Sequence, residues 1–290
     1  MDIKYENGNT IINGLRDFDL EQIFDCGQAF RFNRVDENTY FGIAFKKALK
    51  ISQYGDSAVL YDTSPEDFFS IWKDFFDLDR DYGKIKDTLS CDDVMREAVR
   101  HGGGIRILKQ DLWETVISFI ISQSNNIPRI KGIIERFCES FGEEIHYMGK
   151  TYHAFPTAEK TASLTKEDLS VIRAGFRDKY IMDAARVFSE KILTEDMLKQ
   201  ASTDMAKRLL MSVKGIGGKV SDCILLFGLG RADSFPVDVW IKRIMEHCYF
   251  DCEQSIKTIS DLAQKKFGSL GGYAQQYLFF YARDTKIGVQ

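Results

Sequence analysis

The segment from Asp111 to Gln123 limits what this chain can fold into more than any other. Leu112, Trp113, Val116, Ile117, Phe119, Ile120 and Ile121 leave it apolar on nearly every side. A helix of that kind offers no face to water, so other elements of the same chain must enclose it. Asp111, with Glu114 three residues on, has the spacing of a capping box and marks its start. Its end is the polar turn Ser122-Gln123-Ser124-Asn125-Asn126. Pro128 then suits the first position of a helix running from Arg129 to Phe141 and closing at Gly142.

The stretches before it have a different period. Tyr40 to Phe45, Ala48 to Tyr54 and Ser57 to Tyr61 are rich in β-formers, with Gly55-Asp56 as a turn between the last two. From about Pro65 onward the pattern is helical, and almost nothing reads as strand again. The expectation is an α+β chain with an antiparallel β domain over 1–105 and helical domains over 106–290. With 290 residues, 44% hydrophobic, 28% charged and 4 prolines, the composition is that of an ordered globule. No apolar run approaches the roughly 20 residues needed to span a bilayer, and Met1 to Arg16 lacks a signal-peptide core, which predicts a cytoplasmic protein without membrane contact. Of six cysteines only Cys248 and Cys252 lie close together, so free thiols are expected and neither a metal site nor a cofactor.

A second helical pair follows. Asp204 to Val213 carries apolar residues at Met205, Leu209, Leu210 and Val213, and Val220, Cys223, Ile224 and Phe227 resume the spacing until Gly228 and Gly230 stop it. The helix–hairpin–helix so formed covers about 204–229. Its turn, Lys214-Gly215-Ile216-Gly217-Gly218, has few side chains in the way, and amides opening the second helix are unpaired within it. Lys214, Gly215, Gly217 and Gly218 are therefore candidates for binding a phosphate. A turn that merely needs glycines is the competing reading. Lys219 opens the second helix, and Asp238, nineteen residues on, stands where it would cap the next. Alone, each is an ordinary surface lysine or helix cap. The net charge of −4 speaks against strong non-specific binding to nucleic acid. Between Met205 and Met245, however, Lys207, Arg208, Lys214, Lys219, Arg231, Lys242 and Arg243 face only Asp222, Asp233 and Asp238. Fields decay over about 10 Å, so a local basic face can still hold phosphates.

Together, the hairpin, its lysine and the Val237-Asp238 cap resemble the helix–hairpin–helix, Gly/Pro-rich, aspartate (HhH-GPD) signature of the DNA base-excision glycosylase superfamily. The likeness extends through Cys26-Gly27-Gln28-Ala29-Phe30-Arg31, Gln110-Asp111, Ser124 to Arg129, Gly175-Phe176-Arg177, Lys219 to Cys223, Phe235 to Val239, and Tyr273-Ala274-Gln275 through Phe279. In that order they are similar to the 8-oxoguanine DNA glycosylase/lyase family over roughly 19–284. The resemblance implies a TATA-binding-protein-like antiparallel sheet ahead of mainly α-helical HhH-GPD domains, and a monomer acting on double-stranded DNA containing 8-oxoguanine, nucleoid-associated if bacterial. It implies Lys219 as nucleophile and Asp238 as the catalytic carboxylate. Gly27, Cys223, Gln275 and Phe279 would hold the flipped base. Asn125, Arg129 and Arg177 would hold the cytosine left behind, with Phe176 as wedge.

Three positions depart from the family pattern. Ser124 stands for an asparagine, Phe176 for a tyrosine, and Trp240 for a phosphate-contacting histidine. They bear on the choice of opposite base more than on the reaction. A same-fold glycosylase for another damaged base, or a non-catalytic DNA-binding module, are the readings that compete; Lys219 speaks against alkylation-type members, which usually lack the hairpin lysine.

Overall fold

Along Asn9–Asn13 and Ser57–Tyr61 every second side chain is buried, the pattern of a strand with one face on a core. The computed structural model describes residues 1–288 and joins these segments in a six-stranded antiparallel sheet. Its strands are β1 (Asp2–Glu6), β2 (Asn9–Asn13), β3 (Phe32–Asp36), β4 (Thr39–Ala44), β5 (Lys47–Tyr54) and β6 (Ser57–Tyr61), in the order β1-β2-β6-β5-β4-β3. Registers such as Ile12 opposite Ala58 and Ile51 opposite Leu60 bring the apolar sets onto one face. A short helix, α1 (Leu20–Asp25), packs there, with Phe24 stacked on Phe32 at 4.2 Å between centroids. Trp72, Phe75 and Phe76 complete this first core.

A second core belongs to the helices, here α2 (Tyr82–Leu89), α3 (Asp93–His101), α4 (Leu112–Ser122), α5 (Ile127–Phe141), α6 (Asp178–Ser189), α7 (Thr203–Met211), α8 (Gly218–Leu229), α9 (Val239–Met245), α10 (Ile256–Phe267) and α11 (Gly271–Thr285). The apolar segment is α4, and it lies inside: Val116, Ile117, Ile120 and Ile121 are fully buried among α5, α6 and α8. Asp111 caps it, accepting from the Glu114 amide at 2.8 Å. Asn126 caps α5 through the Arg129 amide, so that helix starts two residues earlier than expected, with Pro128 in its first turn. Helix α8 runs through Gly228, where a β-carbon would press on Leu112 and Thr115 of α4. Gly230, at φ +65°, is the actual stop.

Strands exist where none was expected. β1, β2 and β3 extend the sheet, and β7 (Glu144–Tyr147) with β8 (Lys150–His153) forms a hairpin within the helical part. Its turn, Met148-Gly149, has positive φ at both residues, as a type I′ hairpin turn requires.

Gln28 binds the two cores together. Its side-chain amide donates to the Ile23 and Arg106 carbonyls at 2.8 Å, and its oxygen accepts from the Leu108 amide at 2.9 Å. Gln110 donates its side chain to the Gln28 carbonyl and its amide to the Phe227 carbonyl of α8. The turn after α1 is thereby fixed to the helix that starts at the glycine-rich hairpin.

Candidate active site

Helix α6 shapes the hairpin from outside. Gly215 has φ +88°, and a β-carbon there would stand 2.3 Å from Cγ of Tyr180, so both conformation and close approach demand glycine. Asp183 accepts from the Lys214 amide at 3.0 Å, which fixes the turn from the same helix. Gly217 and Gly218 differ: a β-carbon on either would meet nothing within 4 Å. Gly217 caps α8 without a side-chain bond, so no capping side chain satisfies the first amides of that helix. The arrangement can bind an anion, with the ammonium of Lys214 exposed beside it.

Lys219 lies just inside this mouth. It is half-buried, its Nζ 5.3 Å from the centroid of the Phe119 ring of α4. Phe119 is itself held by stacking on Phe227. The lysine charge is near enough to favour the ionised forms of both Cys223 and Asp238. Asp238 caps α9, its Oδ1 accepting from the Ile241 amide at 2.8 Å. Burial raises its pKa above the usual carboxylate range, while the Ile241 amide and Lys219 pull the other way. Cys223 is buried behind the pair, and burial pushes its thiol up to about 11 despite Lys219, so it is an inert wall. One cationic amine and one carboxylate thus share a partly desolvated corner at the uncapped end of a helix.

The turn after α1 and the helix α11 approach each other closely. Gly27 follows the end of α1 at φ +79°, and Cε1 of Phe279 would lie 3.3 Å from a β-carbon placed on it. Gln275, one turn before Phe279 on α11, is buried and accepts from the Gln276 side chain at 3.0 Å. Cys26 is fully buried, its thiol donating to the Ile23 carbonyl at 3.2 Å.

The loop between α4 and α5 forms a third group with the start of α6. Phe176 projects into solvent, 54% exposed, beside Tyr180 and under the guanidinium of Arg177 at 4.4 Å. Arg177 is only 2% exposed. It donates to the carbonyls of Gln123, Ser124 and Ala174, so in this structure its donors hold the loop. Asn125 is likewise engaged, donating to the Ile121 carbonyl and accepting from the Asn126 amide. Arg129 is exposed. Ser124 has φ +46°, a left-handed conformation that asparagine takes more readily than serine. Trp240 is half-buried under Arg243, 5.2 Å from guanidinium to ring centroid.

Three groups at these sites went unread in the sequence: Tyr180 and Asp183, which set the hairpin, and Arg283, which lies over Phe279. For Arg283 a signal existed, since it continues the i, i+4 face of Gln275 and Phe279. Among the described residues no group of three or more His, Cys, Asp or Glu side chains could hold a metal, and no helix is long and apolar enough to cross a membrane.

Residues 117–268 match the model of the HhH-GPD superfamily base excision DNA repair proteins, and the chain belongs to that superfamily. Within it the likeness narrows, because residues 10–116 match the N-terminal domain of 8-oxoguanine DNA glycosylase. Among solved structures, the Clostridium acetobutylicum 8-oxoguanine glycosylase/lyase, bound to double-stranded DNA with cytosine opposite 8-oxoG, is 41% identical; 99% of each chain superimposes at a TM-score of 0.96. MBOgg1, in complex with a low-affinity DNA ligand, is 44% identical over 98% of this chain and 99% of its own, also at 0.96. The N-glycosylase/DNA lyase of Saccharomyces cerevisiae is 39% identical over 158 residues, 50% of this chain. The matched region spans 42% of the yeast protein's length.

Proposed function

We propose that the protein is a bifunctional DNA glycosylase that flips 8-oxoguanine out of a duplex, opposite cytosine, excises it and then nicks the strand. The observation that carries this reading is the Lys219–Asp238 corner at the open end of α8, beside amides free to grip a phosphate. Its likeness to glycosylase/lyases over nearly the whole chain supports the substrate. One chain supplies every group required, in keeping with a monomer acting on DNA in the cytoplasm.

The chemistry follows from the residue types. Phosphate contacts at Lys214, Gly215, Gly217 and Gly218 position the backbone without reading sequence. Phe176 fills the space the base leaves, offsetting part of the few kcal/mol that unstacking costs. The base enters between Gly27, Cys223 and Phe279, with Gln275 facing its Watson–Crick edge and the Gly27 carbonyl accepting from N7–H. Guanine lacks that proton, so a buried carbonyl would face a lone pair at a cost of about 1–3 kcal/mol. As the C1′–N9 bond breaks, the base leaves with the electron pair and acquires a proton, while Asp238 stabilises positive charge on the sugar. The amine of Lys219 in its unprotonated form bonds to C1′, and ring opening gives a Schiff base. Loss of a C2′ proton then expels the 3′ phosphate.

Incubation with an 8-oxoG:C duplex and borohydride tests the reading. It predicts a covalent protein–DNA adduct with the native chain and none with Lys219→Gln, which still binds the duplex. Retention of strand cleavage by Lys219→Gln would refute the assignment. A gel shift without base release by the native chain would leave a binding module.

A further inference from the structure

Arg283 reaches from α11 to the turn after α1. Helix α1 ends at Asp25, and the last carbonyls of a helix have no partner within it. Nη2 of Arg283 donates to the Asp25 carbonyl at 2.5 Å, placing a cation at the negative end of α1. The same guanidinium lies 5.4 Å from the centroid of Phe279 and 5.6 Å from that of Phe280. Its Nη1 is 3.8 Å from the place a β-carbon of Gly27 would take. One planar group therefore touches the turn that aims the Gly27 carbonyl and the ring that would stack on the base. The turn is pinned from the other side by Gln28, whereas Phe279 is only half-buried.

We infer that Arg283 is a positioning residue for base recognition: it holds the Gly27 turn and the Phe279 ring at the separation a flipped 8-oxoguanine needs. This rests on the glycosylase reading above. A leucine at 283 would leave the Asp25 carbonyl uncapped and the ring without its planar neighbour. A lysine would keep the charge but lose the planar contact.

The test compares binding in a Lys219→Gln background, where no chemistry intervenes, to 8-oxoG:C and G:C duplexes of the same sequence. Arg283→Leu is expected to cut the preference for the lesion by about tenfold or more, the loss of one charge-assisted contact, and Arg283→Lys by about threefold. In the native background Arg283→Leu should slow 8-oxoguanine release more than cleavage at a preformed abasic site, which has no base to hold. An equal loss of affinity for both duplexes would make Arg283 a phosphate contact and overturn the inference, as would an unchanged preference in either variant. Should Arg283→Leu fail to fold, the lysine variant decides by the same comparison. If the native protein released no 8-oxoguanine, the functional reading would fall instead.

Discussion

At the scale of single residues, Asp238 caps α9 and is proposed to supply the catalytic charge, two jobs that substitution can separate. Asparagine caps helices about as well as aspartate, so Asp238→Asn should keep stability within about 0.5 kcal/mol while removing the charge. Its excision rate should fall by about a hundredfold or more, read by single-turnover kinetics on the lesion duplex. Asp238→Ala should lose the rate and also about 1 kcal/mol of stability, visible in urea unfolding. The sign of the pH effect follows from burial. The carboxylate must be ionised to stabilise the sugar cation, and burial holds its pKa above the ordinary range. The acid limb of the rate profile should therefore lie above that of an exposed aspartate, with activity lost as pH falls through it. In the sequence Asp238 was legible as a cap, and its pairing with Lys219 was legible only through the family signature. Periodicity cannot say that two residues nineteen apart lie near enough to feel each other's charge. The burial that raises one of them is a product of tertiary packing, which no local pattern records.

At the scale of elements, the hairpin glycines divide by what surrounds them. Gly215→Ala puts a β-carbon into Tyr180 at positive φ and should destabilise the fold by at least about 2 kcal/mol. Gly217→Ala has extended backbone and empty space around it, so stability should change by less than about 0.5 kcal/mol. Its methyl group should weaken binding to any duplex, lesion or not, which gel shifts on both would measure. From sequence the two glycines looked alike. The difference arises from α6, whose packing no local pattern records. β1 and β3 leave little trace in the sequence for a related reason. β1 is Asp-Ile-Lys-Tyr-Glu at a sheet edge and β3 is mostly exposed, so neither has enough buried side chains to show a period of two. The largely enclosed α4 was the clearest element to read, because the burial of Leu112 and of Thr115 to Ile121 leaves its mark on most of its residues.

At the scale of the whole molecule, the sheet and the helical body meet near Glu114, Asp111 and Arg31. Burial pushes the Glu114 carboxyl up to about 7, with Arg31 opposing and Asp111 adding to the rise. The folded value exceeds the unfolded one, so this group contributes stability that is fully present below about 4.5 and lost as pH rises through about 7. Glu114→Gln should accordingly gain on the native protein between pH 5 and pH 8, by up to about 3 kcal/mol, in urea titrations at the two pH values. The same large-scale connectivity has a consequence at the opposite end of α4. Phe176 stands at the entrance of α6, and Tyr180 with Asp183, on that helix, fixes the glycine turn. Tool tip and clamp are thus mounted on one rod, like the jaws of a caliper locked at a single setting. On the function proposed above, whichever phosphate the turn took hold of would fix the base step that meets the phenylalanine, and sliding along a duplex would become a series of identical measurements.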